Sequence, residues 1–349
     1  MHPETASHLV RAFAPQGARI LDPFCGSGTV LVEALIHGRI PFGVDLNPLA
    51  VRLSQCKLRT RTTSELREMV ARARTCAEYA NRRRRVRAGA TRRFTGEDLE
   101  LFEMHVLFEL DSLRCKIEEL TDDPAYPDLS LVLSAILVKL SRKTGDTSRR
   151  IGLRRTAAGY ASRLFVEKTQ EWADRLAAFK KLVPSPLEAF VGQDDATQLN
   201  QLPVPSVDAI ITSPPYAATY DYLAHHALRL RWLGLDPSPL AQGELGARST
   251  YQKLDARKAS EEWSRELRKF FDAAARVLPA GKPMLLLMAD SAVASKALYA
   301  DEIVSETAQR CGFARVACAS QVRPHFHKAT MAAFRNRPRA EHAILLRRM

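Results

Sequence analysis

The stretch ARILDPFCGSGTVLVEALIHGRIPFGVDLNP, residues 18–48, constrains the fold more than any other part of this 349-residue chain. ARILDPF is a short apolar run that ends in the turn CGSG. TVLVEALIHG has the amphipathic spacing of a helix, closed by Gly38 as C-cap. IPFGVDL returns to a strand pattern, and NPLAVRLSQCKLR opens a second helix with Asn47 at the N-cap and Pro48 in its first position. Strand, glycine turn, helix and strand in about 30 residues make a βαβ unit, and such units build parallel sheets.

The same stretch contains a candidate ligand site. Gly26 and Gly28 let the backbone turn tightly at the end of a strand and come close to a ligand. The third glycine of the dinucleotide fingerprint is missing, and no GK[ST] follows, which excludes a P-loop. Asp45 closes the next strand, where an acid can accept both hydroxyls of a ribose.

From about residue 57 to 185 the character changes to helical periodicity: SELREMVARARTCAEYA, EDLELFEMHVLFELDSLRCKIEEL read as one helix, LSLVLSAILVKLSR, and SRLFVEKTQEWADRLAAFKKL. TDDPAYPD reads as a turn between two of these helices, and residues 141–155 as a donor-rich loop. The α/β pattern then resumes: PLEAFVGQDDA, a strand and turn; SVDAIITSPPY, a strand halted by two prolines; and YDYLAHHALRLRWLGL, a helix. Residues 235–259 read as a polar, irregular, mobile loop. EEWSRELRKFFDAAARVL is a helix, KPMLLLMAD a buried strand, ASKALYADEIVSETAQRCG a helix, and FARVACASQVR with AEHAILLRR a closing pair of strands. The expected organisation is one α/β domain, residues 1–56 and 186–349, interrupted by a helical insertion, residues 57–185.

Charge narrows the partners. The net charge is +13, and the excess is clustered: residues 57–93 alone, with Arg82, Arg83, Arg84 and Arg85, carry about ten more basic than acidic residues. Basic stretches recur at 139–168 and 323–348. Clusters of this kind suit phosphate contacts and counterion release on a nucleic acid. The six cysteines form no CxxC and no Cys/His set with zinc spacing, so a reducing compartment and no metal are expected. His325 and His327 lack a third ligand nearby and read as surface or nucleic-acid contacts. There is no signal-like apolar segment and no run near the ~20 residues that span a bilayer, so no membrane role is expected.

DPFCGSGT followed by GVDLNP resembles motifs I and II of the S-adenosylmethionine-dependent methyltransferases that methylate exocyclic amino groups, and HPETASHLVRAF resembles their motif X. SPPY, Ser213 to Tyr216, is similar to their catalytic motif [DNS]PP[YFW]. The resemblance implies a doubly wound, mostly parallel seven-stranded Rossmann-like α/β fold and S-adenosyl-L-methionine as cofactor. It implies that His2 and Pro3 line the methionine end of the pocket. Asp22, Pro23, Phe24, Cys25, Gly26, Gly28 and Thr29 then surround the amino-acid part, with Asp45 and Leu46 at the ribose. VGQDDATQL is similar to the segment whose acid meets the adenine amine, here Asp195 with Asp194 as the alternative.

The residue types of SPPY suit the implied chemistry. An aromatic amine has its lone pair delocalised into the ring and is a poor nucleophile. Acceptors around it, Ser213 Oγ and the Pro214 carbonyl, favour a pyramidal nitrogen and stabilise the charge that develops there. Pro214 and Pro215 hold the backbone so that the carbonyl points outward, and Tyr216 offers a face on which an extruded base can stack. Serine in the first position resembles the cytosine-N4 branch; Asp or Asn is the common adenine-N6 form. The absence of Pro-Cys disfavours cytosine-C5 chemistry. The expected function is therefore N4-cytosine methylation of double-stranded DNA, with contacts from Tyr220, Asp221, Tyr222, Arg82 to Arg85, Arg142 and Thr147. Ser141, Arg142, Asp146 and Thr147 resemble a Ser-Arg...Asp-Thr loop of related amine methyltransferases. Alternatives are adenine-N6 methylation, an RNA methyltransferase, or a non-catalytic nucleic-acid-binding protein. A cytoplasmic, nucleoid-associated location, a homodimer and a separate cognate restriction nuclease are all compatible with this reading.

Overall fold

The computed structural model describes all residues except 144–150, 153–154, 184–187, 294–295 and 325–330. Asp146, Thr147, His325 and His327 lie outside the described residues. In chain order the elements begin α1 (Pro3–Phe13), β1 (Arg19–Asp22), α2 (Thr29–Ile36), β2 (Ile40–Asp45) and α3 (Pro48–Leu58). Helices follow: α4 (Thr63–Arg85), α5 (Gly96–Leu101), α6 (Met104–Glu118), α7 (Tyr126–Leu140) and α8 (Tyr160–Leu182). Then come β3 (Phe190–Gln193), β4 (Ala209–Thr212), α9 (Tyr222–Trp232), α10 (Ser238–Gly243), α11 (Arg248–Tyr251) and α12 (Ala256–Val277). The chain closes with β5 (Pro283–Ala289), β6 (Ser291–Val293), β7 (Lys296–Leu298), α13 (Ala300–Arg310), β8 (Phe313–Val322) and β9 (Ala340–Arg348).

Two compact units emerge. The first comprises Met1–Leu58, Val183–Ala224 and Asp236–Met349. It holds a seven-stranded sheet in the order β3-β2-β1-β4-β5-β9-β8. β1 to β5 are mutually parallel in their pairings, and β9 runs antiparallel between β5 and β8. The chain winds outward from β1 through β2 to β3, then returns to β4 on the other side of β1. The point between β1 and β4 is therefore the switch point, where α/β sheets leave a crevice at the carboxyl ends of their strands. All four residues of β4 are buried, which is why Ala209-Ile210-Ile211 reads as a short apolar run. α12 packs through Ala259, Trp263, Leu267, Phe270, Phe271, Ala274 and Val277, a stripe at helical spacing that seals one face.

The second unit comprises Arg59–Leu182 and His225–Leu235. α4 starts with a capping box between Thr62 and Glu65. Its core gathers Met69, Ala73, Leu107, Leu110, Leu133, Ile136, Leu137 and Phe165, together with Leu228 and Trp232 from the end of α9. Residues 225–235 join this unit because Asp98, fully buried, accepts hydrogen bonds from Arg231 Nη2 at 2.8 Å and Trp232 Nε1 at 2.9 Å. The segment read as one helix over residues 97–120 is instead α5 and α6, broken where Phe102 turns extended and buries its ring 5.9 Å from Trp232. β6 and β7 pair antiparallel where the first turn of the helix expected at 294–312 would lie, and α13 begins at Ala300. No helix among the described residues is long and apolar enough to cross a membrane.

Arg61 and Asp128 form a bidentate ion pair in this helical unit, 2.7 Å at the closest, with Trp172 Nε1 donating to Asp128 Oδ1 at 2.8 Å. Both side chains are almost wholly buried. Removing one member of such a pair strands the other charge. Asp128→Ala should therefore destabilise the chain by about 3–5 kcal/mol, read as a shift in a urea melt followed by far-UV circular dichroism. A variant that melts with the parent would show that the pair carries no net weight.

Candidate active site

The carboxyl ends of β1, β2 and β4 bring three parts of the sequence motifs to one edge: Asp22, Asp45 and the residues after Thr212. Thr212 Oγ1 donates to Asp22 Oδ1 at 2.6 Å across the switch point. Asp22 is 3% exposed, and burial pushes its carboxyl up to about 7, against the hydrogen bonds from Thr212 and the Phe24 amide. Asp45 is half-buried and also raised, to about 6, chiefly by loss of solvent. Its Oδ1 accepts from the Asn47 amide at 2.8 Å and its Oδ2 from the Gly26 amide at 2.9 Å.

The glycine turn is closed largely on itself. Phe24 N–H goes to Asp22, Cys25 N–H to the Val44 carbonyl, Gly26 N–H to Asp45, and Gly28 N–H to the Cys25 carbonyl. These donors hold the loop's shape. Gly26 and Gly28 both have positive φ, and a Cβ on Gly28 would lie 2.7 Å from Ser54 Oγ on α3. Pro23 is buried, Thr29 starts α2 with its Oγ1 3.5 Å from Ser27 Oγ, and Phe24 packs edge-on against Phe270 at 5.3 Å. The Cys25 thiol is buried and pushed well above its ordinary range by burial and by Asp45 and Asp22, which makes it inert as a nucleophile. His2 and Pro3 stand exposed at the start of α1, where His2 Nδ1 faces Glu4 at 4.0 Å.

After β3 the two acids differ. Asp194 uses both oxygens in its own turn, accepting from the amides of Asp195 and Gln201 at 2.8 Å each. Asp195 accepts from the Thr197 amide and hydroxyl through Oδ1 alone. Its Oδ2 lies near Gly243 of α10, where an added Cβ would be 3.8 Å from it and 2.7 Å from Leu46 Cδ1. Gly243 thus brings α10 against both Leu46 and Asp195, a neighbour that the local sequence does not advertise.

Ser213 follows β4 and is half-buried. Its hydroxyl donates to the Leu287 carbonyl of β5 at 3.0 Å. Pro214 is buried and Pro215 half-buried beside it. Tyr216 packs against the core of the sheet unit, its hydroxyl donating to Glu341 Oε1 at 3.2 Å and lying 3.5 Å from Ser213 Oγ. Burial holds the Tyr216 phenol up at about 12. Tyr220 is exposed, with its ring 5.7 Å from that of the half-buried Tyr222.

The segment from 217 to 223 is clasped by residues 244–249. Ala218 N–H reaches the Gly246 carbonyl at 2.9 Å, and Arg248 N–H reaches the Tyr220 carbonyl at 3.0 Å. Asp221 Oδ1 accepts from the Ser249 amide at 2.8 Å, and the Glu244 carboxylate takes the amides of Tyr222 and Leu223 at the start of α9. Gly246 has a φ of 64° and lies close against Ala217, where a Cβ would be 3.1 Å from Ala217 Cα. The stretch read as an irregular loop at 235–259 therefore contains α10 and α11 and buries Tyr251 completely, with its hydroxyl on Glu266.

The arginines assigned to nucleic acid sit in the helical unit. Arg82, Arg84 and Arg85 are exposed in the last turn of α4. Arg83 is more withdrawn, bonding Ser112 Oγ at 3.2 Å and the Gly89 carbonyl. Arg142 is half-buried and bonds the carbonyl of Glu100 at 3.2 Å. Among the described residues, one cluster with metal-ligand chemistry is present: Asp290, Asp301 and His342. Asp290 is bonded to His342 and to the amides of Ala300 and Ala340, and Asp301 Oδ2 to Arg337, while Asp301 Oδ1 is buried 3.8 Å from His342 Nε2.

Thr212, Glu341, Gly243 and Glu244 were not expected as site residues. Thr212 had a signal, a polar residue ending a buried apolar strand. Glu341 had none, because it reaches Tyr216 only through the pairing of β5 with β9.

Residues 3–55 match the family model described as DNA methylase. Over 49 residues the chain is 45% identical to the Type II methyltransferase M.MvaI of Kocuria varians, a match that covers 14% of this chain and 11% of that protein. Similar solved structures include a SAM-dependent methyltransferase from Methanosarcina mazei, at 9% identity and a TM-score of 0.39 over 98% of this chain and 97% of the other. TrmN from Thermus thermophilus is 12% identical with a TM-score of 0.35, over 99% of this chain and 48% of its own. The similarity to the DNA methylase family thus lies in residues 3–55, which run from α1 through the glycine turn and β2 into α3.

Proposed function

We propose that this protein transfers a methyl group from S-adenosyl-L-methionine to the exocyclic N4 amine of cytosine in double-stranded DNA. The observation that carries the reading is the state of Ser213. Its proton is given to the Leu287 carbonyl, so its lone pairs are left to accept from an amine at the carboxyl edge of β4, beside Asp22. A hydroxyl committed in this way acts as an acceptor, which is what a weakly nucleophilic aromatic amine needs as positive charge builds on nitrogen.

The donor set fits the cofactor. Asp22 and Asp45 offer carboxylate oxygens for an ammonium group and for ribose hydroxyls, and Asp195 offers Oδ2 towards an adenine amine with Leu46 and Gly243 beside it. When bound, the cofactor supplies a methyl group on a positively charged sulfur. Ser213 and the Pro214 carbonyl orient the target amine, and the proline pair keeps that carbonyl from moving. Tyr216 stacks the extruded base, and the exposed Tyr220 contacts its edge. Arg82, Arg84 and Arg85 grip phosphates, in a helical region that serves as the DNA-binding insertion.

Incubation of the protein with the cofactor and unmethylated DNA, followed by nucleoside mass spectrometry, should yield N4-methylcytosine. N6-methyladenine in its place would move the assignment to adenine, and DNA binding without any methylated product would end both. Ser213→Ala should lower turnover about 10²-fold and leave cofactor affinity within twofold. Loss of cofactor binding in that variant would show that Ser213 holds the cofactor instead.

Asp22 gives a second check. Its folded carboxyl titrates near 7, above the ordinary 3.8, so between those values the folded chain binds the proton more tightly than the unfolded one. Stability is then fully present at low pH and falls as pH rises through that window. Asp22→Asn keeps the shape and the Oδ1 acceptor without the buried charge. At pH 8 it should raise stability by on the order of 1–3 kcal/mol while weakening cofactor binding at least about tenfold by calorimetry. A less stable variant would contradict the burial account.

A further inference from the structure

We infer that Glu341 is a positioning residue for this reaction: by holding the Tyr216 hydroxyl proton, it keeps Ser213 Oγ open to the substrate amine. The inference rests on the amine-methylation reading above and adds a residue to it. Three hydroxyl and carboxyl groups meet after β4. Ser213 Oγ donates to the Leu287 carbonyl at 3.0 Å, so its remaining capacity is as an acceptor. Tyr216 Oη lies 3.5 Å from Ser213 Oγ and 3.2 Å from Glu341 Oε1, and its single proton can serve one of them. A carboxylate is the stronger acceptor, so the proton goes to Glu341.

The carboxylate is itself fixed. Glu341 Oε2 is bonded by the Arg323 guanidinium, 3.1 Å from Nε, which leaves Oε1 aimed at the phenol. The sheet supplies the rest. Glu341 pairs with Ala289 in the antiparallel register of β5 and β9, two residues along from Leu287, so one strand pair carries both the acceptor for Ser213 and the acceptor for Tyr216. Without Glu341, the half-buried phenol is left with a donor to satisfy, and Ser213 Oγ is the acceptor beside it. The Tyr216 proton would then occupy a lone pair that the substrate amine needs.

The test is a rescue. Glu341→Ala should lower turnover about tenfold, with KM for DNA and for cofactor unchanged within twofold. Tyr216→Phe added to Glu341→Ala should recover most of that loss, because no hydroxyl is left to occupy Ser213. Glu341→Gln, whose carbonyl oxygen can still take the phenol proton, should keep most of the turnover. A purely structural role for Glu341 would give no recovery from deleting the phenol oxygen. If Glu341→Ala melts below the assay temperature, Glu341→Met keeps the side-chain stem without an acceptor and repeats the comparison. Wild-type turnover in Glu341→Ala, a double variant no better than the single one, or a change confined to KM would each overturn the inference. A wild-type protein that methylates neither DNA nor RNA would sink the amine-methylation reading along with it, whereas an active wild type without rescue would sink this inference alone.

Discussion

The hydrogen bond from Thr212 Oγ1 to Asp22 Oδ1 ties the two halves of the sheet unit together at the place where the winding reverses. Asp22 ends the first strand laid down, and Thr212 ends the strand that returns 190 positions later. Both side chains are buried, so the bond forms in a medium where an unpaired polar group would be expensive. It sets how far β4 runs before SPPY begins, and hence where Ser213 stands relative to the glycine turn. The raised carboxyls of Asp22 and Asp45 are the cost of keeping two acids at this edge with little solvent. Under the function proposed above, a cationic, hydroxyl-rich ligand offsets that cost on binding.

The second constraint at this edge is the clasp. Residues 217–223 would be a free segment after two prolines, yet four residues between Glu244 and Ser249 engage their backbone and Asp221. Ala218 is held at a φ of 57°, and Gly246 at a φ of 64° lies tight against Ala217. Such strain persists only where the surroundings over-determine it. The clasp is anchored in turn by Glu266, which accepts from both the Gly246 amide and the Tyr251 hydroxyl. In the helical unit, buried acids do comparable work: Asp98 and Asp128 each collect an arginine and an indole, and so fix helix pairs that apolar packing alone would leave free to slide.

Much of this was legible from local pattern. β1, α2, β2 and α3 follow from period and punctuation, and β4 from a short apolar run. What local pattern misjudged has a common cause. EDLELFEMHVLFELDSL keeps helical spacing through Phe102, but burial of that ring against Trp232 requires an extended residue there. Residues 235–259 look polar and irregular because their order comes from backbone bonds to a distant segment and from a single buried tyrosine. The choice between Asp194 and Asp195 was a matter of loose register in the sequence. In the structure Asp194 spends both oxygens in its own turn, whereas Asp195 bonds through one, a difference in state that local sequence does not show.

The sequence by itself determined the βαβ start, the acid at the end of each of the first two strands, and the serine that heads the proline pair, because each depends on residues within a few positions of one another. Tertiary structure alone decided what those groups are bonded to. Leu287 and Glu341 lie 74 and 125 positions from Ser213 and Tyr216, and only the pairing of β4, β5 and β9 brings them within hydrogen-bond reach. Whether a serine hydroxyl acts as donor or acceptor depends on where its proton goes, and that partner is set by strand register rather than by neighbouring sequence.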